Sequence, residues 1–343
     1  MTNGQGFLHH VLGGITAFAQ HQLAERRLSQ ERLAVMRDAI EQVVDASEPR
    51  IRLVGDYADQ LVDAVETALR YCESVLRQLP PALVLGGRAW GRDPRVNAFF
   101  ATADDLRATL SADPRVRAFF QTSGAPECFA WMLMVKRETG TFGTALAGEM
   151  LVREVRQIQV SFSGHRLFFP AASEAELRHD LRRRMLAFLA SRARERISAL
   201  RTRRETLEEQ RRQLQAQLRA LRGNAHGLRP LLSSADPDER HLAELEQRLD
   251  RTEQDLNEAR KPLRTLDDYL EQVRQVLGRP ETCLQIRPLS IRLNRLGIRL
   301  DDDSTEPGET ITLVELASLG EQRIGVLVRF AREEAEPAST VGD

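Results

Sequence analysis

Lysine is almost absent from this 343-residue sequence: Lys136 and Lys261 are the whole complement, and arginine supplies the remaining basic charge. A GC-rich genome produces that bias without any functional cause, so arginine richness alone does not indicate an anionic partner. Net charge adds nothing, because 49 basic against 50 acidic residues leave a formal −1, no electrostatic footprint for nucleic acid. Cys72, Cys128 and Cys283 lie far apart with no C-x-x-C pair. That pattern argues against a disulfide framework or a zinc site and leaves them as reduced core residues. Aromatic residues are 5% of the chain, and none interleave with the arginines to form a base-stacking platform. No apolar run approaches the roughly 20 residues needed to span a bilayer. The first residues lack the basic n-region, apolar h-region and small-residue cleavage site of a signal peptide. A cytoplasmic protein is expected.

Chemical motifs are missing too. His9, His10 and His21 have no metal-ligand spacing, and His165, beside Arg166 in an expected turn, has no partner that would make it a base. The run Gly86 to Gly91 has phosphate-loop glycines without the Gly-Lys-Ser/Thr that holds phosphate, and reads as a flexible link. Asp301, Asp302 and Asp303 with Glu306 and Glu309 lack calcium-loop spacing and its glycine, and read as a solvated hairpin loop. No catalytic, metal or cofactor site is expected, so the chain reads as non-enzymatic.

What is present is periodicity. Apolar residues recur at helical spacing over residues 1 to about 46, Pro49 interrupts them, and a second helix is predicted from about Asp56 to Leu79, ended by Pro80 and Pro81. An N-terminal membrane-surface helix is disfavoured, because residues 1–20 carry no Lys or Arg. Residues 93–100 (DPRVNAFF) and 113–120 (DPRVRAFF) echo each other. Asp93 and Asp113 are predicted N-caps, with Pro94 and Pro114 in the first turns, and a further short helix spans Asp104 to Leu110. From Phe129 the period becomes two, predicting a meander with runs at 129–135, 142–146, 158–162 and 166–169 and a turn at Ser163-Gly164. The first run is also open to a helical reading.

A 3-4 spacing then runs from Ala190 to Leu221 and from Leu242 to Leu277, and positions 242, 249, 256, 263, 270 and 277 are all leucine. A strict seven-residue repeat puts one apolar seam on a helix and demands a partner helix. Gly223 is the predicted end of the first arm and Asp236-Pro237 the start of the second. Residues 177–222 hold 14 Arg against 5 acidic residues, and residues 237–277 hold 7 basic against 11 acidic. Opposite arms should therefore attract. Arg204 and Arg211 fall on the seam, and Pro262 should break the second arm, opposite roughly residue 198. Alternating runs at 284–293, 298–300, 311–316 and 324–330 follow, with Pro288 marking an edge or bulge.

The expected fold is α+β and predominantly α: a helical domain (1–125), an antiparallel β body in two parts (126–171 and 281–332), a projecting antiparallel coiled-coil hairpin (172–280), and a disordered tail (333–343). The expected function is contact with a protein partner, or self-assembly, through the hairpin tip at His226, Leu228, Arg229, Leu231 and Leu232. The alternative is nucleic-acid or anionic-surface binding by the first arm through Arg182, Arg183, Arg184, Arg192, Arg196 and Arg203, set against internal pairing of those side chains. An enzyme of unfamiliar type is the third reading.

Overall fold

The computed structural model describes residues 32–147, 150–225, 237–301, 303–304, 306–318 and 321–336. The chain is α+β and mostly α, with a curled antiparallel sheet. It divides into two units, one formed by residues up to Ala68 with Leu186–Arg279, the other by Leu69–Met185 with residues from Pro280 on. Two of these breaks, after Ala68 and after Met185, fall inside helices.

The first unit is helical. It contains α1 (residues 32–46), a 3-10 turn Pro49–Leu53, the first half of α2 (Tyr57–Gln78), and the larger part of α7 (Glu174–Ala225). α8 (Pro237–Arg260) and α9 (Leu266–Leu277) complete it. The seam residues Ala190, Ala193, Ile197, Leu256, Leu263, Leu270 and Leu277 are buried, with Val43, Val44, Ile51 and Leu61 from the N-terminal elements. Each leucine, isoleucine and valine among them contributes about 1.5–3 kcal/mol on leaving water, and the alanines less.

Pro262 acts as predicted. α8 stops at Arg260, Lys261–Leu263 form a 3-10 turn, and α9 restarts on a capping box between Thr265 and Asp268. The expected position opposite residue 198 is corrected. Arg260 Nη2 donates to Glu208 at 3.1 Å, so the break lies alongside Glu208. α7 does not end at Gly223 but runs to Ala225, which moves the centre of the pairing along the chain. Residues 1–31 and the tip positions His226, Leu228, Arg229, Leu231 and Leu232 lie outside the described residues.

The second unit is built on one sheet. After β1 (Leu83–Val84) come α3 (Gly87–Trp90), α4 (Pro94–Phe99), α5 (Ala103–Ala112) and α6 (Pro114–Thr122). Asp93 and Asp113 cap α4 and α6 through the amides of Arg95 and Arg115, as the repeat predicts. Val96, Phe99, Phe100 and Val116 enter the core and Phe119 and Phe120 pack on it, so the echo is two similar helix starts. The expected flexible link at Gly86–Gly91 is instead the site of α3.

The strands are β2 (Glu127–Ala147), β3 (Met150–Ala171), β4 (Gln285–Leu293), β5 (Glu309–Ser318) and β6 (Glu321–Ala331), in the order β3-β2-β6-β5-β4, with β1 parallel to β6. Both β segments thus join one sheet, and residues 128–136 are strand. The predicted four-run meander is corrected to a single long hairpin of β2 and β3. Its irregularities are three bulges, between Phe129/Trp131, Leu133/Val135 and Gly143/Ala145, each giving β3 one extra residue. At each bulge β3 has a residue at positive φ: Phe169 at 58°, Gly164 at 65° and Glu154 at 60°. A bulge accepts the left-handed conformation and increases local twist, so Gly164 bends a continuing strand and does not end it.

The segment after β4 joins the two outer strands. Leu300 N donates to Arg292 O at 2.8 Å, Val160 N to Gly297 O at 2.8 Å, and Arg299 N to Ile158 O at 2.8 Å. One face of the sheet packs Met132, Phe162, Leu313 and Val328 against α4 to α6. The other packs Trp131, Val314 and Leu327 against Leu76 and Leu79 of α2 and Leu177 and Leu181 of α7. The chain turns helical again after β6 in α10 (Arg332–Ala335), within the expected tail.

Candidate functional site

The surface the sequence singles out lies on α7 and α8. Leu214 and Leu218 of α7 cluster with Leu245 of α8, and Leu221, Leu242 and Leu249 pack around them. Arg222 Nη2 reaches Glu246 Oε1 at 2.6 Å, and Arg260 reaches Glu208 at 3.1 Å. Position numbers therefore rise along one helix as they fall along the other. Arg204 and Arg211 sit at the seam with buried Nε atoms, and Arg204 Nε is 3.9 Å from Glu208. Neither Nε atom has a hydrogen-bond partner, so each arginine leaves a donor unsatisfied there.

The six candidate anion contacts divide between the two units. In the second, Arg182 donates to Glu73 at 3.3 Å. Arg184 donates to Asp180 at 2.8 Å and lies 3.9 Å over the Phe169 ring, and Arg183 is exposed on the same turn. In the first, Arg192 pairs with Glu195 one turn on and stacks 5.0 Å from the Phe188 ring. Arg196 donates to Gln275 at 2.8 Å, and Arg203 is exposed. Two of these partners are local, Glu195 at i+3 and Asp180 at i−4, as on any charged helix.

Elsewhere arginine clamps chain ends. Arg178 donates to the carbonyls of Leu76 (2.6 Å), Leu79 (3.3 Å) and Pro80 (3.3 Å), satisfying the C-terminal end of α2. Arg332 does the same for Phe120, Ser123 and Ala125 after α6. Arg292 holds the loop after β4 through the carbonyls of Ser304 and Glu306, both at 3.0 Å. That loop contains the acidic run.

Three polar sites escape sequence reading. In the first unit Glu48 is buried and accepts from Arg50 Nε at 2.8 Å and from Arg201 Nη2. Both guanidinium carbons lie over the Tyr269 ring, at 5.4 and 5.1 Å. The hydrogen bond from Arg50, then that from Arg201, holds the Glu48 carboxyl below its ordinary range against the opposing effect of burial. In the second unit Glu334 Oε1 accepts from Gly87 N at 3.0 Å, and its other oxygen accepts from Arg107 Nε at 3.0 Å. A β-carbon at Gly86 would lie 2.8 Å from Glu334 Oε1. The glycine pair thus admits one of the chain's own carboxylates. His165 stacks on Phe100 with ring centroids 4.5 Å apart, and its Nε2 is buried without a partner. Burial pushes its pKa down, and a backbone hydrogen bond at Phe99 acts the other way.

Cys72 and Cys128 are buried, and desolvation pushes both thiols up to about 12, which makes them inert. Among the described residues no group of three or more His, Cys, Asp or Glu is placed to hold a metal ion, and no helix is long and apolar enough to cross a membrane. No family model, curated protein or solved structure matches the chain.

Proposed function

We propose that the chain is a non-enzymatic cytoplasmic interaction protein. In this reading α7 and α8 form an antiparallel coiled-coil hairpin that presents its connecting tip, near residues 223–237, to a protein partner. The observation that carries the reading is the leucine cluster of Leu214, Leu218 and Leu245, flanked by the Arg222–Glu246 pair. Two helices that bury their apolar stripes on each other gain stability from that seam and place the residues joining them at its end. The internal bonds of Arg182, Arg184, Arg192 and Arg196 favour this reading over nucleic-acid binding, since a guanidinium already bonded to carboxylate or amide must break that bond to take a phosphate.

The test is affinity purification of the full chain from native cells, in parallel with a form in which residues 223–237 are replaced by a short glycine-serine link. A stable protein partner that is held by the intact chain and lost with the tip supports the reading; a partner held equally by both forms removes the tip from it. Binding of generic duplex DNA or RNA that weakens as salt rises would favour the arginine arm instead.

A further inference from the structure

The C-terminal end of α4 is held from two sides. From α3, Trp90 Nε1 donates to the Phe100 carbonyl at 2.8 Å. From β3, the His165 ring stacks on the Phe100 ring, with centroids 4.5 Å apart and an interplanar angle of 23°, and makes a hydrogen bond to the backbone at Phe99. Phe162 of the same strand meets Phe99 edge to face at 5.0 Å. α4 has six residues, far below the roughly 12–15 that a helix needs to persist alone. It therefore stays folded through what it touches, and His165 is a polar fastening between it and the sheet.

That fastening depends on the ring being neutral. Gly164, at a φ of +65°, and His165 together oppose the core residue Met134 across the bulge between Leu133 and Val135. The ring's Nε2 is buried and has no hydrogen-bond partner. An imidazolium has two N–H donors and a charge to satisfy, and burying either unpaired is costly. The carboxylates on the elements packed against the ring are engaged elsewhere. On α4, Asp93 pairs with Arg95 at 2.7 Å. On α6, Asp113 accepts from the amides of Arg115 (2.8 Å) and Leu167 (3.4 Å), Arg115 donates to the Leu167 carbonyl at 3.0 Å, and Arg117 is exposed. On β2, Lys136 binds Glu138 at 3.0 Å, and Arg166 of β3 itself is exposed. A proton added at Nε2 thus has no acceptor while the ring remains stacked.

We infer that His165 is an acid-operated release for α4: protonation expels the ring from the Phe100 stack, and α4 lifts from β3. Above the ring's ordinary 6.5 it is neutral in both arrangements, and α4 stays closed. Below that value the released ring takes up the proton more readily than the stacked one, so the open population rises as pH falls. Val96, Phe99 and Phe100 are buried in the closed form, and release turns them into an apolar surface. The inference is independent of the helical hairpin, which involves other residues.

Hydrogen exchange of the full chain at about pH 7.5 and about pH 5.5, on either side of the ordinary histidine range, tests it. Asn97 N and Phe100 N, bonded within α4 to the carbonyls of Asp93 and Val96, should lose up to about tenfold in protection at the lower pH, beyond the intrinsic change in exchange rate. His165→Phe and His165→Gln carry no titrating ring and should not show this loss; circular dichroism checks that each is folded. Phe100→Ala removes the stack at every pH and should expose the same two amides at the higher pH as well. The indole N–H of Trp90, one of two tryptophans in the chain, should shift its resonance over the same window in the wild type alone. A wild-type α4 equally protected at both pH values, a loss shared by both His165 variants, or a loss spread evenly over the β2–β6 amides would overturn the proposal.

Discussion

Gly325 of β6 lies directly beneath the indole of Trp131 on β2: a β-carbon there would come within 2.1 Å of Trp131 Cζ2 and 2.7 Å of Leu316 Cδ1. Trp131 is buried between the sheet and the helices α2 and α7, so the ring has little freedom to withdraw. Gly325→Ala should destabilise the protein by about 1–3 kcal/mol, the usual cost of overpacking. The same change in a Trp131→Phe background should cost less, because the smaller ring vacates the contested volume. Chemical denaturation of the four proteins measures the coupling; equal costs in both backgrounds would remove Trp131 as the cause.

The Glu48 cluster predicts an acid-sensitive first unit. Glu48 has its carboxyl held below the ordinary 4.5 chiefly by Arg50. The folded state therefore binds the proton more weakly than the unfolded state. The resulting stabilisation is complete above pH 4.5 and is lost as pH falls through the lower folded value. Glu48→Gln should remove this part of the acid limb. At neutral pH it should cost about 1.5–3 kcal/mol, the scale of a hydrogen bond to a charged group. Urea midpoints of wild type and variant between about pH 3 and 7, a range that spans carboxylate titration, check both statements.

His165 predicts a second window with its own sign. Its pKa is lowered from the ordinary 6.5 by burial, so the folded chain prefers the neutral ring. Stability is complete above pH 6.5 and declines as pH falls from there toward the folded value, where the ring must charge beside Phe100. His165→Phe keeps an aromatic ring against Phe100 and removes the titrating group. Its stability profile should be flatter than that of the wild type just below pH 6.5, while the Glu48 limb at lower pH is retained.

What the sequence makes legible follows from the range of each interaction. The Asp-Pro caps of α4 and α6 and the break at Pro262 are all set within one or two helical turns, and each appears where the pattern puts it. The β2–β3 hairpin was hidden because each bulge in β3 shifts the alternation by one residue, so a continuous strand reads as separate runs. The pairing of Glu48 with Arg201 spans 153 positions, and that of Glu334 with Gly87 spans 247, distances at which no local pattern gives a partner. The arginines show the same limit. Their number is plain in the sequence, but whether Arg178 faces solvent or the end of α2 depends on which helix the fold brings beside it.

Gly297 gives the most local test of how the sheet is joined. Its φ is +72°, and a β-carbon would lie 3.0 Å from the carbonyl oxygen of Val160. The residue must take the left-handed conformation so that its own carbonyl can accept from Val160 N while Arg299 N reaches Ile158 O. A side chain there incurs about 1–2 kcal/mol for the conformation alone, with the contact added. Because only the segment after β4 depends on this geometry, Gly297→Val should loosen the link to β3 while the hydrogen bonds of β2 to β6 persist. Hydrogen exchange resolves the two: the amides of Val160 and Arg299 should exchange markedly faster in the variant, and those within the β2–β6 pair should change little. Uniform acceleration across the sheet would mean that Gly297 supports the whole unit and not this junction.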